Sequence, residues 1–164
     1  MSKKRAGKRK IRLAIIGCGG FVRYHVRGIM QDVGEVQAVG LADVDRARAE
    51  ALGTEFFAKD APRAYTDHAE MLKQTRPEAV IVSSPHTLHY RHACDALAAG
   101  AHVMVDKPMV TDSSDARKLV AKAKAARRHL AVAIQGMYTD TFAYARKLIA
   151  DGKFGQMQLV TCIL

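Results

Sequence analysis

The first apolar run is Ile11–Ile16, interrupted by Arg12 near its start, and it predicts a short buried strand. Gly17, Gly19 and Gly20 break it. From Phe21 onward, Val22, Val26, Ile29, Met30 and Val33 recur at helical spacing, and Gly34 ends that helix. Val36–Ala42 is the next strand, closed by Asp43 and Asp45. Arg46–Leu52 reads as a short helix stopped by Gly53, and Glu55–Ala58 as a brief third strand. Asp67 can cap a helix, with Glu70 at the capping-box spacing, that runs to about Gln74; Pro77 marks the loop beyond it. Ala79–Ser83, His102–Val105 and Leu130–Ile134 are further strands. Between them lie a helix over Leu88–Ala99, ended by Gly100, and one starting at Thr111 or Asp112. The inner stripe of the second is Ala116, Leu119, Val120 and Ala123. Phe142–Ala150 reads as a helix and Met157–Leu164 as a strand.

Strands alternating with helices this often are the mark of βαβ units, and right-handed crossovers put helices on both faces of the sheet. The predicted class is α/β, with a doubly wound, mostly parallel sheet. At 164 residues the chain has room for one full domain and a real core. The apolar share of 49% and charged share of 26% are those of a globular protein and argue against disorder or a fibre.

The net charge of +10 is unevenly spread. Seven of the 26 basic residues fall in positions 1–12 with no acid among them; the other 19 face all 16 acids. The body is therefore nearly balanced. The basic tail, residues 1–10, and the face of Lys118, Lys122, Lys124, Arg127 and Arg128 could meet nucleic acid or anionic lipid. Solvated surface accounts for both more simply, and nucleic acid is not expected as a partner. No secretory signal follows the tail and no run approaches a membrane span. Cys18, Cys94 and Cys162 are widely spaced without a CxxC pair, so a reducing, cytoplasmic setting is expected rather than a disulfide or zinc scaffold.

Chemistry concentrates at the ends of the predicted strands. Gly17-Cys18-Gly19-Gly20-Phe21-Val22 follows a strand and opens a helix, the setting a dinucleotide-binding turn requires. Gly17 permits the tight turn, Gly19 lets backbone approach a pyrophosphate, and the helix start offers free N–H groups. Val22 stands where the third glycine of that fingerprint belongs, and its branched side chain is expected to hold helix and strand farther apart. Asp43, 24 residues after Gly19, can accept both adenosine ribose hydroxyls and repel a 2′-phosphate, which favours NAD over NADP. Its plainer role is to cap the next helix. Arg46 could neutralise such a phosphate and keeps NADP open. Ser83-Ser84-Pro85-His86 and Asp106-Lys107-Pro108 follow later strands and face the same crevice. Lys107 could donate a charged hydrogen bond to a substrate hydroxyl or carbonyl, although a lysine in such a place is often only surface. His25, His89 and His92 offer no convincing set of metal ligands.

Taken in order, these motifs resemble the glucose–fructose oxidoreductase, inositol dehydrogenase and MocA family of two-domain dehydrogenases, over about residues 11–164. Gly17, Gly19 and His25 resemble its first strand, turn and helix, and Asp43 its ribose-binding acid. Ser84-Pro85-His86-Thr87-Leu88-His89 resembles its Thr-Pro-Asn-x-x-His loop, with His86 in place of the asparagine. Gly100-Ala101-His102-Val103-Met104-Val105-Asp106-Lys107-Pro108 resembles Gly-Lys-His-Val-x-x-Glu-Lys-Pro, with Asp106 in place of the glutamate. The resemblance implies hydride transfer between NAD(P) and a sugar, polyol or related alcohol. Lys107 is then the catalytic residue at the substrate. Gly17, Gly19, Gly20, Phe21, Asp43, Arg46, Ser84, Pro85, His86, His89, Asp106, Lys107 and Pro108 are then the cofactor-binding set. Tyr138 stands near where the family often has an arginine. A Rossmann domain is expected over 11–135, and 136–164 as a linker helix and first strand of a second α+β domain. In the family that second domain covers the substrate, mediates oligomers and supplies an Asp-x-x-x-His pair. The chain is accordingly expected to be truncated. A homo-oligomer or a complementing C-terminal domain would complete it, and the alternative is a catalytically inactive dinucleotide-binding module.

Overall fold

The computed structural model describes residues 9–32, 35–134 and 139–159. Six parallel strands form one sheet in the order β3-β2-β1-β4-β5-β6: β1 (Ile11–Ile16), β2 (Val36–Ala42), β3 (Arg63–Tyr65), β4 (Ala79–Val82), β5 (His102–Val105) and β6 (Leu130–Val132). The connecting helices are α1 (Val22–Asp32), α2 (Arg46–Phe56), α3 (His68–Thr75), α4 (His89–Ala98) and α5 (Ser113–Ala126). The order reverses direction at β1 and β4, which is the switch point where doubly wound sheets open a crevice. No helix among the described residues is long and apolar enough to cross a membrane.

Alternate residues of β1 show why the strands read as continuous apolar runs. Ala14 and Ile16 face a core with Val80, Val103, Met71, Leu97 and Leu119; Leu13 and Ile15 face another with Val22, Val26, Leu52 and Phe57. Both faces are covered, so neither can be polar. Val22 is itself fully buried in the second core, where its branched side chain acts as packing.

The third strand lies elsewhere than Glu55–Ala58. The second helix runs through Gly53 to Phe56, and the strand is Arg63–Tyr65, paired with Gly40–Ala42. Gly53 is no terminator: a Cβ there would sit 3.3 Å from Leu41 and 3.7 Å from Pro62, so the glycine lets the helix lie close on the sheet. Asp45, not Asp43, caps this helix, accepting from the Ala47 N–H. Asp67 and Asp112 cap α3 and α5. A 3-10 turn, His86–Leu88, precedes α4. Val120 is exposed, whereas Leu119 and Ala123 carry the inner stripe of α5. Arg128, expected on the solvated basic face, donates to the Gly100 carbonyl and closes the α4–β5 turn. Arg9, at the edge of the basic tail, pairs with Glu78, and the Arg12 guanidinium donates to the Thr75 carbonyl.

The chain divides into two units between Ala133 and Ile134. In the second, α6 (Asp140–Ala150) is capped by Thr139, and Gly152 takes the left-handed conformation just past its end. Met157–Leu159 form no strand; Tyr138, Cys162 and residues 160–164 lie outside the described residues.

Candidate functional site: a cleft at the carboxyl edge of the sheet

Four strand ends converge on one cleft of about 620 Å³. The β1 end contributes Gly17, Gly19, Gly20 and Phe21; the β2 end Asp43, Val44 and Arg48; the β4 end Ser83, Ser84, Pro85 and His86; the β5 end Asp106 and Lys107. Parallel strands bring these loops together because all their carboxyl ends lie on the same edge.

The glycines divide the work. Gly17 sits at φ +91°, and a Cβ there would lie 2.5 Å from the backbone of Ser83 and Ser84. It is glycine because the β4 end passes directly against it. A Cβ added at Gly19 or Gly20 would meet nothing within 4 Å, so their backbone faces open cleft and a ligand can come close. That space fits a pyrophosphate approaching the start of α1. Arg23 braces the turn, donating to the carbonyls of Gly19 (2.8 Å) and Cys18 (3.3 Å) while its Nε pairs with Glu55 at 2.8 Å.

Asp43 lies against this turn. Its Oδ2 accepts from the Cys18 N–H at 2.8 Å and its Oδ1 from the Asp45 N–H at 3.0 Å. A carboxylate has about four acceptor positions, so capacity remains for a ligand's hydroxyls. The aspartate thus also ties the β1 and β2 ends together, a role its sequence position does not reveal. Burial, followed by the Asp43 charge, pushes the Cys18 thiol up to about 12.

Across the cleft, Asp106 is buried and accepts from the Ser83 hydroxyl at 3.1 Å and from the Lys107 N–H at 2.8 Å. The His25 Nε2 lies 3.6 Å from its Oδ1. His25 stacks edge-on against Phe21 at 5.2 Å, and the Lys107 ammonium stands 5.7 Å over the same Phe21 ring. These contacts set the start of α1 and the β5 loop with respect to each other.

Three residues of the expected set do not line the cleft. Arg46 turns to Glu50 (2.8 Å), one helical turn away, and borders a separate groove with Gly53 and Pro62. His89 is fully buried beneath the loops, with Nδ1 2.8 Å from the Pro108 carbonyl and Nε2 2.8 Å from the Ser84 carbonyl. It fastens the β4 loop to the β5 loop. Pro108 takes part through that carbonyl. In exchange, the cleft gains Val44 and Arg48, which the sequence pattern does not single out.

A smaller cavity of about 80 Å³ adjoins the cleft, sharing Gly17, Asp43, Val44, Ser84 and Pro85 and adding Thr66, His68, Leu88 and His92. The His68 and His92 rings lie 4.3 Å apart; His68 bonds Asp95 (2.9 Å) and His92 the Ser84 hydroxyl (2.8 Å). Burial first, then the His68 charge, holds the His92 pKa down at about 4. Among the described residues no group of three or more His, Cys, Asp or Glu side chains is arranged to hold a metal ion.

Known proteins share this fold. The GFO/IDH/MocA family model, described as an oxidoreductase family with an NAD-binding Rossmann fold, matches residues 11–134. An inositol 2-dehydrogenase of Agrobacterium fabrum is 32% identical over 146 residues, taking in 88% of this chain and 43% of that protein. A dTDP-3,4-didehydro-2,6-dideoxy-alpha-D-glucose 3-reductase of Saccharopolyspora spinosa is 27% identical over 95% of this chain and 46% of its own length. The WlbA dehydrogenase of Bordetella pertussis, solved with NADH and UDP-GlcNAcA, superposes with a TM-score of 0.82 at 28% identity, covering 93% of this chain and 43% of that one. The chain spans less than half the length of each of these relatives. The strand order, the glycine turn with its acid at the β2 end and the match over residues 11–134 agree: the chain belongs to the GFO/IDH/MocA oxidoreductase family, with its NAD-binding Rossmann fold.

Proposed function

We propose that this chain holds NAD, and NADP less well, for the oxidation of a secondary alcohol on a sugar or polyol, or the reduction of the matching ketone. The observation that carries the reading is the convergence of the glycine turn, Asp43 and the Asp106–Lys107 loop on one cleft. Gly19 and Gly20 take the pyrophosphate on their open backbone, and Asp43 takes the adenosine ribose hydroxyls with its remaining acceptor capacity. Its charge opposes a 2′-phosphate. Phe21, Ser84, Pro85 and His86 border the rest of the dinucleotide's path. When bound, the nicotinamide supplies the two-electron hydride chemistry. Lys107 is the catalytic residue: its exposed ammonium donates to the substrate oxygen and stabilises the negative charge that grows there as the hydroxyl passes its proton to solvent water. Asp106 is a positioning residue, holding the Lys107 backbone and the Ser83 hydroxyl. The inositol and nucleotide-sugar names of the relatives support the substrate class.

A second reading is a dinucleotide-binding module without turnover of its own. It draws support from the cleft's lining, which gives Lys107 alone to the substrate. In that case a complementing domain or another copy of the chain supplies substrate orientation, which is a large part of any rate.

Calorimetric titration with NAD and NADP, paired with a turnover assay over inositols and nucleotide sugars, tests both. The expected result is NAD binding that Asp43→Ala weakens more than it weakens NADP. Lys107→Ala should leave NAD binding nearly intact and lower any turnover by about 10²–10⁴-fold. Tight binding with no turnover on any substrate favours the module. Failure to bind either dinucleotide at millimolar concentration sinks both readings.

A further inference from the structure

Parallel strands send their carboxyl ends to the cleft and their amino ends to the opposite edge, and cations gather at that opposite edge. The turns that enter β1, β4 and β6 carry Arg9, Lys10, Arg76, Arg127 and Arg128, with Glu78 as their acid. Glu35 precedes β2, on the far side of β1 from β4. Because β1, β4, β5 and β6 are neighbours in the sheet, these turns form a row about 14 Å long. The length of β1, about 20 Å, sets the row about two Debye lengths from the cleft at physiological salt. Charge placed there neither holds nor steers a dinucleotide in the cleft.

Part of this charge is structural. Arg9 pairs with Glu78, and Arg12 and Arg128 donate to the Thr75 and Gly100 carbonyls. Arg76 and Arg127 are different. Both are exposed, and no hydrogen bond or ion pair among the described residues engages either side chain. They cap α3 and α5 in the left-handed conformation, at φ +43° and +53°, a place that favours glycine; the turn after α4 uses Gly100 there. A cation is favourable at the negative end of a helix, yet Lys73 and Lys124 already stand in the last turns of α3 and α5. Each arginine thus keeps a strained backbone for a charge that the fold does not use. Lys3, Lys4, Arg5 and Lys8 are joined to β1 through Arg9 and Lys10, which tethers the tail's charge to the same edge.

We infer that this edge and its tail bind nucleic acid without sequence preference, with Arg76 and Arg127 as contacts to the phosphate backbone. Polybasic charge by itself is enough for such binding, and the guanidinium fork matches a phosphate. The row is as long as the axial rise of about four nucleotides of one strand. A bilayer asks for a second, apolar signal, and residues 1–12 offer only Met1 and Ile11 as large apolar side chains. The inference goes beyond the dinucleotide reading and does not depend on it. It revises the expectation that the basic tail is solvated surface alone.

The test is fluorescence anisotropy of the full chain with two labelled DNA duplexes of unrelated sequence, from about 50 to about 200 mM salt. Wild type should bind both alike, and more weakly as salt rises. The cap variant, Arg76→Gly with Arg127→Gly, should bind about tenfold or more weakly at about 100 mM salt, and its slope of log K against log salt should be shallower by about 1.8. Because glycine relieves both left-handed caps, this variant should melt no lower than wild type. The tail variant, Lys3→Gln, Lys4→Gln, Arg5→Gln and Lys8→Gln together, should also lose affinity and salt dependence at an unchanged melting temperature. No binding of either duplex at about 50 mM salt, binding that salt does not weaken, or a cap variant that binds as wild type does overturns the inference. So does displacement of the duplex by phosphatidylserine vesicles at equal charge concentration. Should the cap variant melt lower, the tail variant decides, and wild-type affinity in it overturns the inference.

Discussion

Asp43 carries two jobs on one carboxylate. It is placed for a ribose, and it also holds the Cys18 and Asp45 backbone. Replacing it therefore removes a ligand contact and loosens the turn that makes the pocket, so Asp43→Asn, which keeps one acceptor oxygen, should be gentler on the melting temperature than Asp43→Ala. Cys18 reports on the same packing. A thiol raised to about 12 by burial and by the Asp43 charge has almost no thiolate at pH 8. Iodoacetamide should leave Cys18 unmodified in native buffer and alkylate it in denaturant, as read by peptide mass spectrometry. Rapid native labelling would mean the turn is more open than the structure has it.

At the scale of elements, adjacent glycines separate fold from function. Gly17→Ala forces a side chain at φ +91° into the Ser83–Ser84 backbone, and should cost about 3 kcal/mol or more of stability. Gly19→Ala meets open space and should cost well under about 1 kcal/mol, yet its methyl group stands where the phosphates approach. Chemical denaturation beside NAD titration distinguishes them: the first variant is lost on stability, the second on affinity. The second helix teaches a related point about reading sequence. Gly53 looks like a stop signal, and only the nearness of Leu41 and Pro62 shows it to be a packing residue inside a continuing helix. Glu55–Ala58 then has no freedom to be a strand, and the chain reaches β3 only at Arg63.

For the whole molecule, pH should act through the half-buried histidines before the carboxylates. The folded His92 titrates at about 4 against an ordinary 6.5, so between those values the unfolded chain binds a proton that the fold does not. Stability therefore falls as pH drops from about 6.5 toward about 4. His102 is held down in the same direction, by burial and then by His129. The capping Asp67 and Asp112 and the strand-end Glu78 have lowered values from their hydrogen bonds, with the Glu70 N–H, Ser114 and the Arg12 N–H leading respectively. Their contributions fade only lower, below the ordinary carboxylate range. Thermal melts from pH 7 to 5 should show a declining midpoint, and His92→Gln should flatten part of the slope. An unchanged slope in that variant would remove His92 from the account.

The fold class was legible because burial on both faces of a parallel sheet forces apolar runs at fixed intervals, and strand ends then share one edge whatever the details. The glycine turn, Asp43, the Ser84–His86 loop and Lys107 were found the same way, since each follows a strand and so reaches that edge. Which side chains point into the cleft is another matter, settled by helix phase and by partners distant in sequence. Arg46 and Arg48 differ by two positions, about 200° around α2, and only one of them faces the cleft. His89 sits in a motif that suggests a ligand contact, yet two carbonyls, one from each loop, claim its ring. Local pattern determined the elements and the edge on which chemistry gathers; the packing of one element on another decided which residues reach it.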